Sequence, residues 1–363
     1  MTLSDVAQVR ALLDLSAAEA AEPLDLKVGS VTLRVLCGAP ALRDELAEYF
    51  KEARATVARA DITVHVTEGQ SIDPAPLWRL WAREPGKQGR KDEIHDLADG
   101  RLIHKARTGV TFLQSPALLV AFGPVSANAN QVVNFINTQV LNRAQREGWQ
   151  ICHAAAVTRA GRSLAIAGLS GGGKSTSVLR MMDIAGMQFM TNDRLLCQVT
   201  ATGADGLGIP KHPRINPGTI LGNDRLQGML SEARKTELRN MAPDALWTLE
   251  EKHDLIIPDI YGPGRITYAA PLTDFWVLNW ERDVDKVTMI EQVDLATRPD
   301  LLGAIMKSPG PFYQAADGAF LRDSAVPEPE GYLAALAHVR VQEVTGRVDF
   351  DSIANLGRDL FDA

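Results

Sequence analysis

The stretch SLAIAGLSGGGKST, residues 163–176, decides the fold. It opens on an apolar run, Ser163 to Ala167, that reads as a buried strand. Four glycines then fall within six positions, Gly168, Gly171, Gly172 and Gly173, followed by Lys174, Ser175 and Thr176. The continuation SVLRMMDIAG has helical spacing and stops at Gly186. The order is therefore strand, glycine loop, helix. Residues 168–175 fit the pattern GxxxxGK[ST] in the context that gives the pattern its meaning.

Glycines let a backbone turn tightly and aim successive N–H groups inward. Those donors cradle phosphate oxygens, and the positive end of the following helix adds to them. The expected phosphate-binding set is Gly168, Ser170, Gly171, Gly172, Gly173, Lys174, Ser175 and Thr176. Lys174 is placed to meet the β- and γ-phosphates as a point charge, and Ser175 to offer its hydroxyl to Mg²⁺. The bland alternative is a glycine-rich turn without chemistry, which leaves the flanking strand and helix unexplained.

Outward from the loop, the apolar run MQFM leads into Thr191-Asn192-Asp193-Arg194. A carboxylate at a strand end beside a phosphate loop is a usual second anchor for Mg²⁺, so Asp193 is the candidate. Asn-Asp also favours a plain strand-ending turn. Upstream, His153 lies in WQICHAAAV, read as one apolar strand, where a histidine is either a satisfied core residue or a catalytic group. Downstream, Lys211 and Arg214 sit in the proline-braced loop PKHPR. Two such cations can hold a transferring phosphoryl group or an anionic substrate, or simply face water.

The rest of the chain sets the frame. At 363 residues, 45% apolar and 23% charged, it has globular composition and a length that suits two domains. A net charge of −7 without a basic block argues against a general nucleic-acid partner. No long apolar run points to a membrane, so a cytoplasmic setting is expected. Cys37, Cys152 and Cys197 lie in apolar surroundings with no CxxC pair and read as reduced, buried thiols. The first 127 residues alternate strand-like runs (KVGSVTLRVLC, DITVHVT, RLIHKA, GVTFL) with helical stretches, Leu3 to Ala21 and residues 42–58. Ser71 to Arg90 reads as a surface loop, and the cluster WRLWAR within it as a packing element or a docking spot. A helix is expected from Asn130 to Arg146, loop from Lys211 to Leu230, a helix-prone stretch from Ser231 to Lys252, a strand at DFWVLNW, and a largely helical C-terminus.

Taken together, Cys152-His153-Ala154, GLSGGGKST and Thr191-Asn192-Asp193-Arg194 resemble the catalytic domain of the HPr kinase/phosphorylase family, and in particular HPr-kinase-related proteins of Proteobacteria. GLSGGGKST is also similar to the nucleotide loop of ATP-dependent phosphoenolpyruvate carboxykinases. The resemblance covers about Cys152 to Arg194 specifically, is looser beyond, and leaves the first 125 residues uncovered. It implies an α/β (α+β) chain: a smaller N-terminal α+β domain, residues 1–127, and a P-loop kinase core of the HPr kinase/carboxykinase type, residues 128–363. It implies ATP and Mg²⁺ as cofactors, a hydroxyl on a protein or small metabolite as phosphoryl acceptor, and a homo-oligomer.

Two departures stand out. The family's acidic pair is Asp-Asp, and its first member here is Asn192, an amide that cannot take a proton as a base. The glycine-rich signature that HPr kinases carry on the side facing their protein substrate is absent, Asp259 to Arg265 being a different glycine-bearing loop. HPr is therefore not the expected substrate. Asn192 also leaves open a nucleotide-binding regulator that transfers no phosphate.

Overall fold

A computed structural model of the chain describes residues 3–82, 89–169, 172–323 and 325–363. Ser170 and Gly171 of the glycine loop, and Arg83 of the WRLWAR cluster, lie outside the described residues. The chain is mixed α/β and divides into two compact units. The first comprises residues up to Gly148 together with Ser308–Pro327, and the second comprises Trp149–Lys307 and Glu328–Ala363. Among the described residues, no helix is long and apolar enough to cross a membrane.

The first unit is built on an eight-stranded sheet. The strands Val31–Cys37, Ile62–Glu68 and Val120–Gly123 pair in parallel, and the meander from Thr111 back to Arg79 is antiparallel. The run expected as one strand, KVGSVTLRVLC, is a hairpin bent at Gly29, whose φ of 59° is the left-handed conformation a tight turn needs. The helix expected from Leu3 to Ala21 forms as two short pieces, Val6–Leu12 and Ser16–Glu19, and Asp5 caps the first by accepting from the Gln8 N–H. The helix Ala129–Arg146 groups with this unit. Within WRLWAR, Trp81 is buried, Trp78 stacks on His104, and Arg79-Leu80 forms an edge strand.

The second unit is built on a six-stranded sheet in the order 188–191, 155–159, 162–168, 274–278, 340–345, 289–292. The glycine-loop strand Arg162–Gly168 is central. It runs parallel to Asp274–Leu278, which runs parallel to Arg340–Thr345. Such strands must be apolar on both faces, because both are covered. Along the loop strand, Leu164 and Ile166 enter one core while Ala165 and Ala167 enter the other. The first core is closed by the helices Lys174–Met182 and Phe350–Asp362. The second is closed by the helices Pro299–Ile305 and Pro329–Leu336 and by a four-stranded sheet carrying Leu195–Val199.

Three sequence expectations change here. WQICHAAAV is not one strand: Gln150–Cys152 joins the four-stranded sheet and Ala155–Arg159 the six-stranded one. The chain changes sheet at His153, whose N–H donates to the Ile305 carbonyl at 2.7 Å. Lys211 to Leu230 is not featureless, for it holds a strand at Arg214–Ile215, a helix Pro217–Leu221 and a 3-10 segment Asp224–Met229. The C-terminal part supplies the strands Met289–Gln292 and Arg340–Thr345 as well as helices. All three cysteines are buried without a disulfide, Cys152 and Cys197 facing each other across two strands with sulfurs 3.3 Å apart.

Candidate active site

The central strand ends at Gly168, and the helix Lys174–Met182 starts six residues later. Gly173 caps that helix with φ 83° and ψ 16°, in the left-handed region. A Cβ there would stand 2.7 Å from two ring atoms of Phe350, and a Cβ on Gly172 would stand 2.8 Å from the Leu169 carbonyl oxygen. The indole N–H of Trp280 donates to the Gly172 carbonyl at 2.9 Å. Close packing demands glycine at both positions, and at Gly173 backbone shape demands it as well. Gly168 abuts Leu278 of the neighbouring strand, with its absent Cβ 3.0 Å from that side chain's Cβ.

The loop helix opens into a cavity of about 840 Å³. Gly172, Gly173, Lys174, Ser175 and Thr176 line it, and so do Asp193, Lys211 and Arg214. Residues 20 to 40 positions apart thus meet because the strands 162–168 and 188–191 end at the same sheet edge, with 155–159 antiparallel between them. His153 joins through Asp193: its Nε2 lies 3.3 Å from Asp193 Oδ1. Gly168 lies beneath, at the end of its strand. The hydroxyls of Thr176 and Thr219 are 2.8 Å apart, which ties the loop helix to the helix Pro217–Leu221.

Asp193 sits deep in the cavity yet is accessible from it. Burial alone pushes a carboxyl upward. Here the hydrogen bond from His153 and the charges of Arg194, His153 and Lys211 outweigh burial and hold the group well below the usual carboxylate range. Lys174 is affected in the opposite sense: burial lowers its ammonium, Asp193 partly offsets that, and Lys307 adds to it. Arg214 is exposed at the rim, its Nε 2.8 Å from Asp254 across the short ladder 214–215 with 253–254. Asn192 lines the same cavity, and its buried Oδ1 has no hydrogen-bond partner. The buried Asn216 Oδ1 also lacks a partner there.

Three cavity residues carried no signal in the sequence. Phe350, Arg282 and Trp247 line the cavity, Arg282 and Phe350 following the strands 274–278 and 340–345, across the glycine-loop strand from the strand that leads to Asp193. Each is far from the glycine loop along the chain: Arg282 follows a strand, Trp247 lies on the short helix Pro243–Thr248, and Phe350 opens the helix Phe350–Asp362.

No family model matches the sequence, and no curated protein matches it. Among solved structures, the chain is similar to the HPr(Ser) kinase/phosphatase from Coxiella burnetii over 58% of its own length and 95% of that chain. Sequence identity is 10% and the TM-score 0.29. The relationship is a distant structural one.

Proposed function

We propose that the second unit is an ATP-dependent phosphotransferase that moves the γ-phosphoryl group of MgATP to a hydroxyl. The observation that carries this reading is the shared cavity: a glycine-capped helix start bearing Lys174 opens on the same space as Asp193, which His153 and Lys211 keep ionised. The amides at the helix start and Lys174 hold the triphosphate. Lys211 and Arg214 balance charge as it builds on the transferring oxygens.

Mg²⁺, when bound, would supply charge neutralisation at the phosphates. The donors fit a hard cation: the Ser175 hydroxyl, the Asp193 carboxylate and the unpartnered carbonyl oxygen of Asn192 are all oxygens. Among the described residues no cluster of three or more His, Cys, Asp or Glu is present. Asp193, held far below its ordinary range, is a poor proton acceptor and a good orienting anion. Asp193, with His153 Nε2 3.3 Å from its Oδ1, orients the acceptor hydroxyl, and a loose phosphoryl transfer asks little beyond orientation.

The test is γ-labelled ATP with Mg²⁺ and a soluble extract of the source cells, separated into macromolecules and small molecules. Label in either fraction that the Lys174→Ala protein fails to produce supports transfer and names the acceptor class, protein or metabolite. ATP retained stoichiometrically with no label moved favours the second reading, a nucleotide-binding regulator. Asn192 in place of an acid is the observation on its side. Neither nucleic acid nor membrane has a part in either reading, and a homo-oligomer follows only from the family resemblance.

A further inference from the structure

The phosphate loop leaves its strand in the middle of the six-stranded sheet, and the two sides of the cavity differ. Toward the strands 155–159 and 188–191 lie Asp193, Asn192 and Lys211, all polar. Toward the strands 274–278 and 340–345 the chain delivers Trp280, Arg282 and Phe350. Trp280 and Phe350 meet edge to face with centroids 5.3 Å apart and brace Gly172 and Gly173. Beyond them the Arg282 guanidinium lies over the indole of Trp247, 4.7 Å from its centroid, and is tethered by Asp244 at 2.8 Å. Leu246 and Pro243 line the same end. Trp247 is nevertheless 38% exposed, the one aromatic among the exposed large apolar side chains of the described residues.

We propose that Trp247 and Arg282 form the platform on which the aromatic base of the nucleotide stacks. The inference rests on the phosphotransferase reading and adds which side of the cavity takes the base. If the reacting phosphate is drawn toward Asp193 and its cations, the rest of the nucleotide must leave the loop on the other side. That side offers a planar cation already stacked on an indole, and an aromatic base is the group that such a surface holds. The cavity volume is ample for a nucleoside triphosphate. Stacking of this kind depends little on base identity. The site should therefore take purine triphosphates with little discrimination, and should prefer any of them to a base-free polyphosphate.

The experiment is calorimetric titration of the full chain with ATP and with inorganic tripolyphosphate, both with Mg²⁺. Wild type, Trp247→Ala, Trp247→Phe and Lys174→Ala are compared, with circular dichroism of each as a folding control. Trp247→Ala should weaken ATP roughly ten-fold or more, the scale of a lost base–aromatic stack, and leave tripolyphosphate unchanged. Trp247→Phe should recover most of the loss. Lys174→Ala should weaken both ligands. If Trp247→Ala leaves ATP unchanged, or weakens both ligands equally, the platform is overturned while the phosphate loop stands. If wild type binds neither ligand, the phosphate-loop reading fails and the platform falls with it.

Discussion

Replacing Gly173 by alanine tests the geometry of the loop without touching its charges. Two costs are expected, and they are separable. The backbone at Gly173 has φ 83°, and an L-residue in the left-handed region costs roughly 1–2 kcal/mol. The new methyl would also stand 2.7 Å from Cε1 and Cζ of Phe350, which is itself propped edge to face on Trp280. Overpacking of that kind costs typically about 1–3 kcal/mol. The sum for Gly173→Ala is about 2–5 kcal/mol. In a Phe350→Ala background the ring is gone, so the same substitution should cost only the backbone part, about 1–2 kcal/mol. The difference is a coupling energy of about 1–3 kcal/mol from a double-mutant cycle. The readout is amide hydrogen exchange in the strand Arg162–Gly168 under increasing urea, which reports the opening of this unit by itself. Equal losses in both backgrounds would show that Phe350 does not close on the loop. No loss in either would show that Gly173 does not occupy the left-handed region.

Four further outcomes are expected. Lys174→Ala should lower ATP-dependent transfer by at least about two orders of magnitude, as removal of a preorganised charge stabiliser does, measured as initial rate with labelled ATP. Lys174→Met should raise the urea midpoint of the nucleotide-free protein, because burial already disfavours the ammonium; an unchanged or lower midpoint would contradict that burial. Asp193→Asn should destabilise the protein at neutral pH, and the deficit should shrink on acidification. A carboxyl held below its unfolded value contributes stability that is present above about pH 4 and is lost as pH falls toward the folded value, so a deficit that grows in acid would refute the sign. Gly208→Ala should cost at least about 1–3 kcal/mol by urea denaturation, since its Cβ would collide with the backbone oxygen of Met190, in the strand that leads to Asp193.

The parts of this site that were legible in the sequence are those encoded by consecutive residues. Strand, glycines, lysine and helix form one local unit, and their order is written in apolar period and glycine placement. Asp193 was legible because it closes the next apolar run. His153 was harder, because its run looks uniform. Cys152 and Ala154 are both buried, and nothing local says that the chain changes sheet between them. The strands Met289–Gln292 and Arg340–Thr345 were missed for a different reason. Glu291, Gln292, Gln342 and Glu343 interrupt their apolar period, and pairing with neighbours, not propensity, makes them strands. Trp247 and Arg282 are joined only by tertiary structure.

The topology explains why one cavity collects so much. Strands 162–168 and 274–278 run the same way, 340–345 follows them, and 188–191 does so through its antiparallel neighbour 155–159. Every segment that leaves those four strands therefore emerges at one edge. The glycine loop leaves the middle, the acidic turn leaves one flank, and Trp280 and Phe350 follow the other. A sheet so ordered sorts chemistry by position, with fixed backbone donors at the centre, ionised groups to one side and aromatic groups to the other. Asn192 fits this division. It stands on the ionised flank, lines the cavity, and its buried oxygen lacks a hydrogen-bond partner. If Asn192 has no part in binding, Asn192→Ala should leave ATP affinity and transfer rate untouched. If its oxygen receives a hydrogen bond or a cation from the bound substrates, the same substitution should lower transfer by about ten-fold or more, the effect of one lost charge-assisted contact.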